Sequence, residues 1–203
     1  LTIYFPLILI LSGFGYKISM VPFHYWTPDV YEGAPTPITA FLSVAPKAAG
    51  LSILIRIFYT MFTIDGTLVP TMPLIGIDWP SLIAVISAIT MTVGNILAIK
   101  QEDVKRMLAY SSISHVGFML MAFAVIGTES VQAIMLYLFI YLFMNLSAFY
   151  MAIYASNKFD AHHLSDWEGI GKASPVLAAF MTLSLLSLTG LPPTAGFIGK
   201  FYV

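Results

Sequence analysis

The sequence predicts an all-α fold, a polytopic bundle of transmembrane helices in which some helices are discontinuous. Of its 203 residues, 59% are hydrophobic and only 9% are charged, against roughly 25% charged in an ordinary soluble domain. Apolar stretches of about 20 residues recur, the length that a helix needs to cross a bilayer. Prolines and glycines interrupt two of them. We therefore treat residues 1–203 as one transmembrane domain.

Six stretches are apolar enough and long enough to be spans. They are Leu1–Val21, Ile38–Phe58, Trp79–Ile99, Met107–Ile126, Val131–Tyr154 and Pro175 to the end of the chain. The chain begins with Leu rather than Met and stops inside an apolar stretch. We therefore expect a fragment of a longer polytopic protein, with its first and last spans cut or broken.

The connectors between the spans predict an orientation. If alternate connectors lie on opposite faces, one face receives most of the basic residues, which are Lys100, Lys105, Arg106, Lys158 and Lys172. By the positive-inside rule this face is cytoplasmic. The connector 22–37 shares it, so the first helix runs from outside to inside. Within that connector, Asp29 and Glu32 could take protons from the cytosol, pair with a basic neighbour, or be solvated carboxylates on a rigid turn bounded by prolines.

Charge and cysteine content exclude several function classes. The net charge is −1, and the 9 basic residues are scattered rather than clustered, so nucleic acid is not an expected partner. With no Cys and four His, the chain lacks a thiolate or histidine cluster for zinc, haem or an iron–sulfur centre. Any redox chemistry is expected in other chains.

Lys47 lies near the midpoint of the second span. Inserting a lysine into the membrane at that depth costs roughly 2.5–3.5 kcal/mol of free energy. Its side chain alone cannot reach the edge of a core that is about 30 Å thick. Pro46 has no backbone N–H and is expected to free the carbonyl of Leu42, beside Ser43. The combination indicates a functional ionisable group in a polar environment.

Lys17 and its surroundings leave two interpretations open. Lys17 follows the letters GFGY and precedes Pro22, which interrupts the apolar pattern. If the helix stops at Val21, Lys17 is an interfacial anchor. If the helix resumes through Trp26, Lys17 lies near the midplane beside a break.

The last span contains Pro192 and Pro193, which cannot both lie in an uninterrupted helix. We predict two half-helices joined by an extended or unwound stretch around Gly190–Thr194. The break should face protein or water, because lipid cannot satisfy its backbone groups. Lys200 should then point toward the same polar axis as Lys47, unless it is only an anchor at the interface.

Three further polar residues lie inside predicted spans. His115, with Ser111 one turn before it, is a candidate proton relay, and an equally good candidate for a hydrogen-bonded packing residue. Asn95 and Asn145 are predicted to donate hydrogen bonds between helices. The aromatic residues are interpreted as interface belts and lipid-facing bulk.

Three motifs together resemble the subunit N family of proton-pumping NADH-quinone oxidoreductase, the respiratory complex I type. They are GFGYKISMVPFHYWTPDVYEGAPTPITAFLSVAPKAAG, GNILAIKQEDVKRMLAYSSISHVGFML and LSLTGLPPTAGFIGKFYV, in family order along essentially the whole chain. Related large subunits and Mrp-type antiporter subunits usually carry a PDAHVEAPTP-like version of the first motif. The letters VYEG at residues 30–33 favour the subunit N branch.

The resemblance implies an antiporter-like inverted-repeat fold of about fourteen helices, of which this chain would hold most of the second repeat. It implies that the pumping lysines are Lys17, Lys47 and Lys200. The family's glutamate partner would lie on a helix before Leu1. The implied location is the bacterial inner membrane, beside other membrane subunits of complex I and its peripheral arm. NADH, FMN, iron–sulfur clusters and quinone would be bound elsewhere in that complex, with no cofactor on this chain.

The function expected on this basis is proton translocation coupled to electron transfer from NADH to quinone in other subunits. Two alternatives remain open. One is an Mrp-type antiporter that exchanges Na⁺ or K⁺ for protons without redox coupling. The other is a structural membrane anchor, whose lysine substitutions would affect assembly only.

Overall fold

The computed structural model describes residues 4–61, 63–64, 67–68, 79–125 and 127–203. Its helices and strands, in chain order, are α1 Tyr4–Ile18, α2 Trp26–Gly33, α3 Thr36–Met61, β1 Thr63–Ile64, β2 Thr67–Leu68, α4 Trp79–Ile99, α5 Val104–Ala124, α6 Thr128–Phe159, a 3₁₀ turn Leu164–Trp167, α7 Ile170–Ala173, α8 Pro175–Thr189 and α9 Ala195–Tyr202. The two strands form a minimal antiparallel pair. The prediction of an all-α fold is confirmed.

Within the described residues, four helices are long and apolar enough to cross a membrane: Thr36–Phe58, Trp79–Ile99, Val104–Ala124 and Glu129–Phe159. They correspond to the four middle predicted spans. The apolar parts of the first and last spans form shorter helices, Ile8–Ile18 and Pro175–Thr189. The predicted limits Leu1 and Ile126 lie outside the described residues.

The connector 22–37 is not simply a turn, because it contains the short helix α2. Helix α1 ends where Ser19 adopts a left-handed φ of 66° and the Met20 N–H donates to the Gly15 carbonyl at 2.9 Å. The Val21 N–H then donates to Thr90 Oγ1 of α4 at 3.2 Å. Residues 21–25 form turns, and the chain is helical again only from Trp26, so a break follows Lys17 as the second interpretation requires, while the depth of Lys17 in the membrane stays a prediction.

Helices α4 and α5 pack with their backbones close together. A Cβ atom on Gly94 would lie only 2.7 Å from the Ser114 nitrogen, and one on Gly117 only 2.8 Å from the Met91 nitrogen. Ser87 Oγ donates to the Gly117 carbonyl at 2.7 Å. Small residues of this kind let membrane helices approach closely enough for van der Waals packing to hold them together.

The core lies where α3, α5 and α6 meet. Its fully buried side chains include Leu51, Leu54, Leu120, Ile134 and Phe149. Many large apolar side chains instead point outward from the bundle, as with Val85 of α4, Phe139 and Phe143 of α6 and Phe180 of α8. An apolar exterior around a packed interior suits helices that are surrounded by lipid.

The last span consists of two half-helices, as predicted. Gly190 closes α8 with a φ of +83°, and the Leu191 N–H donates back to the Leu186 carbonyl at 3.2 Å. Two prolines follow, which prevents continuation of the helix. Helix α9 begins after Thr194 and folds back so closely that a Cβ on Gly196 would lie 1.7 Å from the Ser187 carbonyl oxygen.

The loop at this break lies at the surface of the part of the chain that the structure describes, and its facing protein or water in the full-length protein stays a prediction. Leu191 is 51% exposed, and Pro192 and Pro193 are exposed as well. Helices α8 and α9 both pack on α6, and Leu188 and Gly196 are buried.

Three connectors meet at one end of the bundle. The Val104 N–H donates to the His162 carbonyl at 3.1 Å, and the Leu164 N–H donates to the Glu102 carbonyl at 2.8 Å. Arg106 reaches Asp29 in the first connector at 2.8 Å. The connectors 22–37, 100–106 and 155–174 therefore share one end, as the alternating topology requires. The assignment of this end to the cytoplasm stays a prediction.

Candidate functional site

Lys47 is 1% exposed, on a helix that continues through Pro46. The predicted opening at Leu42 therefore does not break α3. The polar neighbours come from other helices instead. The Lys47 Nζ donates to Ser112 Oγ of α5, and it lies 5.6 Å from the centroid of the Tyr31 ring of α2. Tertiary packing, rather than local unwinding, creates the environment of this buried lysine.

Ser112 connects Lys47 to α6. The Tyr141 hydroxyl donates to Ser112 Oγ at 3.0 Å and lies 3.5 Å from the Ser43 carbonyl oxygen. Asn145, one turn further along α6, donates to Ser43 Oγ. The predicted role of Asn145 between helices is confirmed. Because hydroxyl groups both donate and accept, a proton can be relayed along such contacts.

His115 continues the polar groups along α5. It is buried, and its Nδ1 lies 2.6 Å from the Tyr137 hydroxyl. Its ring centroid lies 5.1 Å from that of Tyr141. Both Lys47 and Lys200 are close enough to interact electrostatically with it. His115 is therefore a hydrogen-bonded packing residue that also lies between the two lysines.

Lys200 reaches the same region from α9. Its Nζ donates to the Thr189 carbonyl at 3.1 Å and lies 4.5 Å from the centroid of the Phe118 ring. Gly190 makes this possible, because a Cβ there would lie 2.8 Å from Lys200 Cδ. The carbonyl group of Thr189 is one of those that lose their hydrogen-bond partner within the helix because α8 ends there. Lys200 therefore points toward α5, the helix that carries Ser112 and His115, and its place on one polar axis with Lys47 stays a prediction.

A cavity separates Lys200 from the buried groups. Its volume is about 540 Å³, and its polar lining comprises Asn95, Ser111, Ser114, His115, Thr189 and Lys200. A space of this size with several polar groups can hold a chain of water molecules. Ser111 and Asn95 therefore contribute to the wall of the cavity. The predicted hydrogen bond from Asn95 to another helix is not among the contacts of the described residues.

Lys17 lies apart from this cluster. Its side chain is exposed in the last turn of α1, next to the break before α2. A Cβ built on Gly50 of α3 would lie 3.6 Å from its Cγ, so its stem runs along α3 one turn from Lys47. The structure thus brings Lys47, His115 and Lys200 together and leaves Lys17 at the edge.

Four residues of the site were not predicted from the sequence. They are Tyr31, Ser112, Tyr137 and Tyr141. The assignment of aromatic residues to interface belts and lipid contacts is wrong for the three tyrosines, which are at most 1% exposed. A signal was available in the spacing. Tyr137 and Tyr141 are four residues apart on α6, and Ser112 and His115 are three apart on α5, so each pair lies on one helix face.

The end of the bundle where the three connectors meet, called the connector end, has ion pairs and hydrogen bonds between surface residues. Arg106 Nη1 lies 2.8 Å from Asp29 Oδ1 and 2.6 Å from Glu32 Oε2. Of the alternatives considered for these carboxylates, pairing with a basic neighbour is the one observed. Nearby, backbone N–H groups of His163 and His162 donate to Asp166. These hydrogen bonds hold the pKa of Asp166 below its ordinary value.

Comparison with known proteins gives consistent matches. The profile of the family described as "NADH:quinone oxidoreductase/Mrp antiporter, TM" matches residues 1–203. A curated protein of Sorangium cellulosum named NADH-quinone oxidoreductase subunit N 2 is 52% identical over 194 residues, which cover 95% of this chain and 38% of that protein. The chain therefore spans about two-fifths of the length of this relative.

Solved structures share the fold. The Thermus thermophilus respiratory complex I with bound aureothin contains a chain that is 35% identical, with a TM-score of 0.71 over 94% of this chain and 39% of that one. The Mrp complex of a Dietzia species contains a chain that is 21% identical, with a TM-score of 0.82 over 96% of this chain and 34% of the other. The second likeness concerns the fold alone.

Proposed function

The chain belongs to the NADH:quinone oxidoreductase/Mrp antiporter transmembrane family, and we propose that its full-length protein translocates protons as a membrane subunit of an NADH-quinone oxidoreductase. The identity to a relative named subunit N supports this choice. The proposal assigns electron transfer from NADH to quinone to other subunits, together with the FMN and iron–sulfur clusters. Its partners are those subunits and the bilayer, and its location is the bacterial inner membrane.

One observation carries the proposal: a lysine fully buried among hydroxyl groups inside a membrane bundle. None of the salt bridges among the described residues includes Lys47. A buried charge without an opposite charge is costly, so residues of this kind are retained in membrane proteins chiefly for function. A side chain that binds and releases one proton satisfies that expectation.

The geometry supports a path with two lysine stations. A proton on Lys47 can pass through the hydroxyls of Ser112 and Tyr141 toward His115. From there, water in the cavity beside His115 connects to Lys200. A change in charge or hydration along this line, driven by quinone reduction elsewhere in the complex, would alter which lysine holds the proton. The proposed direction is entry from the connector end and exit on the opposite face.

Lys17 is included among the proposed proton-carrying lysines because of the family resemblance. Its stem lies along α3 near Gly50, which suits a group that exchanges protons with Lys47 once neighbouring parts of the full protein cover it. We assign it the first position in the series. We likewise propose that this chain forms most of the second of two inverted repeats.

Substitution of Lys47 tests the function. In inverted membrane vesicles that contain the complete complex, Lys47→Ala should lower the number of protons pumped per NADH oxidised. The matched control is Lys100→Ala, an exposed lysine at the connector end. Pumping and quinone reduction that both stay at parental values in the Lys47 variant would refute the assigned role.

An Mrp-type antiporter is the second candidate, because the family description includes both classes. An antiporter would transport protons only in exchange for Na⁺ or K⁺, and it would purify without a flavin and iron–sulfur arm. Proton uptake driven by NADH in vesicles free of both cations decides between the two. The structural-anchor alternative predicts instead that lysine variants lose assembled complex while the remainder pumps normally.

A further inference from the structure

Helix α2 has two chemically different faces. Thr27 and Tyr31 lie four residues apart and are both buried, whereas Asp29 and Glu32 lie three apart and are exposed. Residues with these spacings share a helix face. The helix therefore presents carboxylates outward at the connector end and an aromatic ring inward toward the site.

The outward face is tied to α5 by two successive residues. Arg106 forms an ion pair with both carboxylates, at 2.8 and 2.6 Å. Lys105 Nζ donates to the carbonyl of Glu32 and, at 3.2 Å, to that of Ala34. An isolated helix of eight residues is unstable, so its position depends on such contacts. We call this set of contacts, between Asp29, Glu32 and Ala34 and the pair Lys105 and Arg106, the α2 clamp.

The inward face touches the buried lysine. The Tyr31 ring centroid lies 5.6 Å from Lys47 Nζ, within the distance at which a ring face attracts a cation. The Tyr31 hydroxyl is buried beside Ser112. The ring is placed by an edge contact with Phe149 at 6.3 Å and by its backbone, whose carbonyl accepts from Thr39 at 3.1 Å.

Other groups around Lys47 do not replace this contact. Helix α5 contributes Ser112 and His115, and α6 contributes the Tyr141 hydroxyl. Lys200 on α9 and Lys17 on α1 are cations, so they repel the ammonium. Asp29 and Glu32 are engaged by Arg106 on the far side of α2.

We propose that the α2 clamp controls Lys47 by holding the Tyr31 ring against its ammonium group. Tyr31 is then a catalytic residue that contacts the proton carrier, and Arg106 is a positioning residue that acts through it. This inference rests on the proposed function. A tight clamp favours the protonated lysine, and a loosened clamp withdraws the ring so that the proton passes on to the Ser112 side. The clamp residues are accessible at the connector end, where the conformation of the complex can act on them.

The test uses the complete complex in inverted membrane vesicles, with protons pumped per NADH oxidised as the readout. Tyr31→Leu and Arg106→Gln should each lower this ratio, with an initial pumping rate reduced about twofold or more. Tyr31→Phe and Arg106→Lys keep the ring and the cation, and each should recover most of the loss. The control Lys100→Gln should match the parent. Tyr31→Met replaces the leucine variant if native gels show poor assembly of the latter.

A double variant shows whether Arg106 acts by positioning Tyr31 or only by stabilising the protein. If Arg106 acts through Tyr31, then Tyr31→Leu combined with Arg106→Gln should pump no worse than Tyr31→Leu alone. Hydrogen exchange in residues 26–33 should also rise about threefold or more in the Arg106→Gln complex.

Additive losses, or faster exchange in α2 with parental pumping, would overturn the inference. So would conservative variants that recover nothing. The outcome for Lys47→Ala shows whether the proposed function fails or only the clamp inference fails. If that variant pumps normally, the proposed function fails. If it loses pumping while the Tyr31 and Arg106 variants do not, only the clamp inference fails.

Discussion

Lys47 and Lys200 both follow prolines in apolar segments, yet the chain accommodates them in different ways. Lys47 lies on a continuous helix and is enclosed by side chains from α2, α5 and α6. Lys200 lies beyond a real break and binds a carbonyl that the break releases. The first site depends on tertiary packing, and the second depends on backbone geometry.

A proline in a membrane helix therefore does not by itself indicate an unwound site. A single proline at position 46 leaves α3 intact, because one lost N–H affects one turn only. Two adjacent prolines after a left-handed glycine end α8 altogether. The Lys200 site should therefore be sensitive to glycine substitution, and the Lys47 site to the loss of hydroxyl partners.

The largest effect is expected from Gly196→Ala at the Lys200 site. The new methyl group would lie 1.7 Å from the Ser187 carbonyl oxygen, so α9 must move away from α8. We expect the free energy of unfolding of the complex to fall by more than about 3 kcal/mol. The clash is with a backbone atom, which cannot move aside as the end of a side chain can. Thermal unfolding of the purified complex measures this. Gly171→Ala is the control, because its nearest neighbour would be 3.8 Å away. Equal stability of the two variants would contradict the proposed packing.

At the Lys47 site, Ser112→Ala removes the acceptor of a buried ammonium. The expected cost is about 2 kcal/mol, the range for a hydrogen bond to a charged group, together with a lower pumping ratio. Ser52→Ala provides the comparison, because Ser52 is exposed on α3 and donates only to its own helix at Ala48. If both serine variants behave alike in unfolding and pumping, Ser112 does not support Lys47.

A smaller effect is expected from Tyr141→Phe, which removes the hydroxyl that donates to Ser112 at 3.0 Å but keeps the packed ring. The expected loss of stability is about 1 kcal/mol, the typical net value of one hydrogen bond. Tyr150→Phe on the same helix is the control, since Tyr150 is 62% exposed. Parental pumping by the Tyr141 variant would show that the relay does not need this hydroxyl.

The smallest effect concerns the connector end, far from both lysines. Because its pKa is lowered by the N–H groups of His163 and His162, Asp166 stabilises the 3₁₀ turn above the pH at which an unfolded aspartate titrates. This contribution should disappear as the pH falls below about 4. The protection factors of these two amides, which correct for the pH dependence of intrinsic exchange, should fall there, and they should be low at every pH in Asp166→Asn. Protection factors independent of pH in the parent would contradict the assignment.

The sequence was a good guide to whatever depends on local chemistry. Span composition predicted six spans, of which the middle four are crossing helices among the described residues. The paired prolines predicted the half-helices α8 and α9, and Lys47 was singled out by its depth. Helix α2 was missed as a helix because its eight residues carry two carboxylates and a proline. Tyr31, Tyr137 and Tyr141 were missed because their burial depends on which helices pack together, and that information is not contained in any one span.

On the proposed function, Lys47 and Lys200 serve one proton path in series. The most direct test measures protons pumped per NADH oxidised in complexes that carry Lys47→Gln, Lys200→Gln or both. A series path predicts that each single variant lowers the ratio and that the double variant is no worse than the more affected single one. Losses that add in the double variant, or a single variant at the parental ratio, would contradict it.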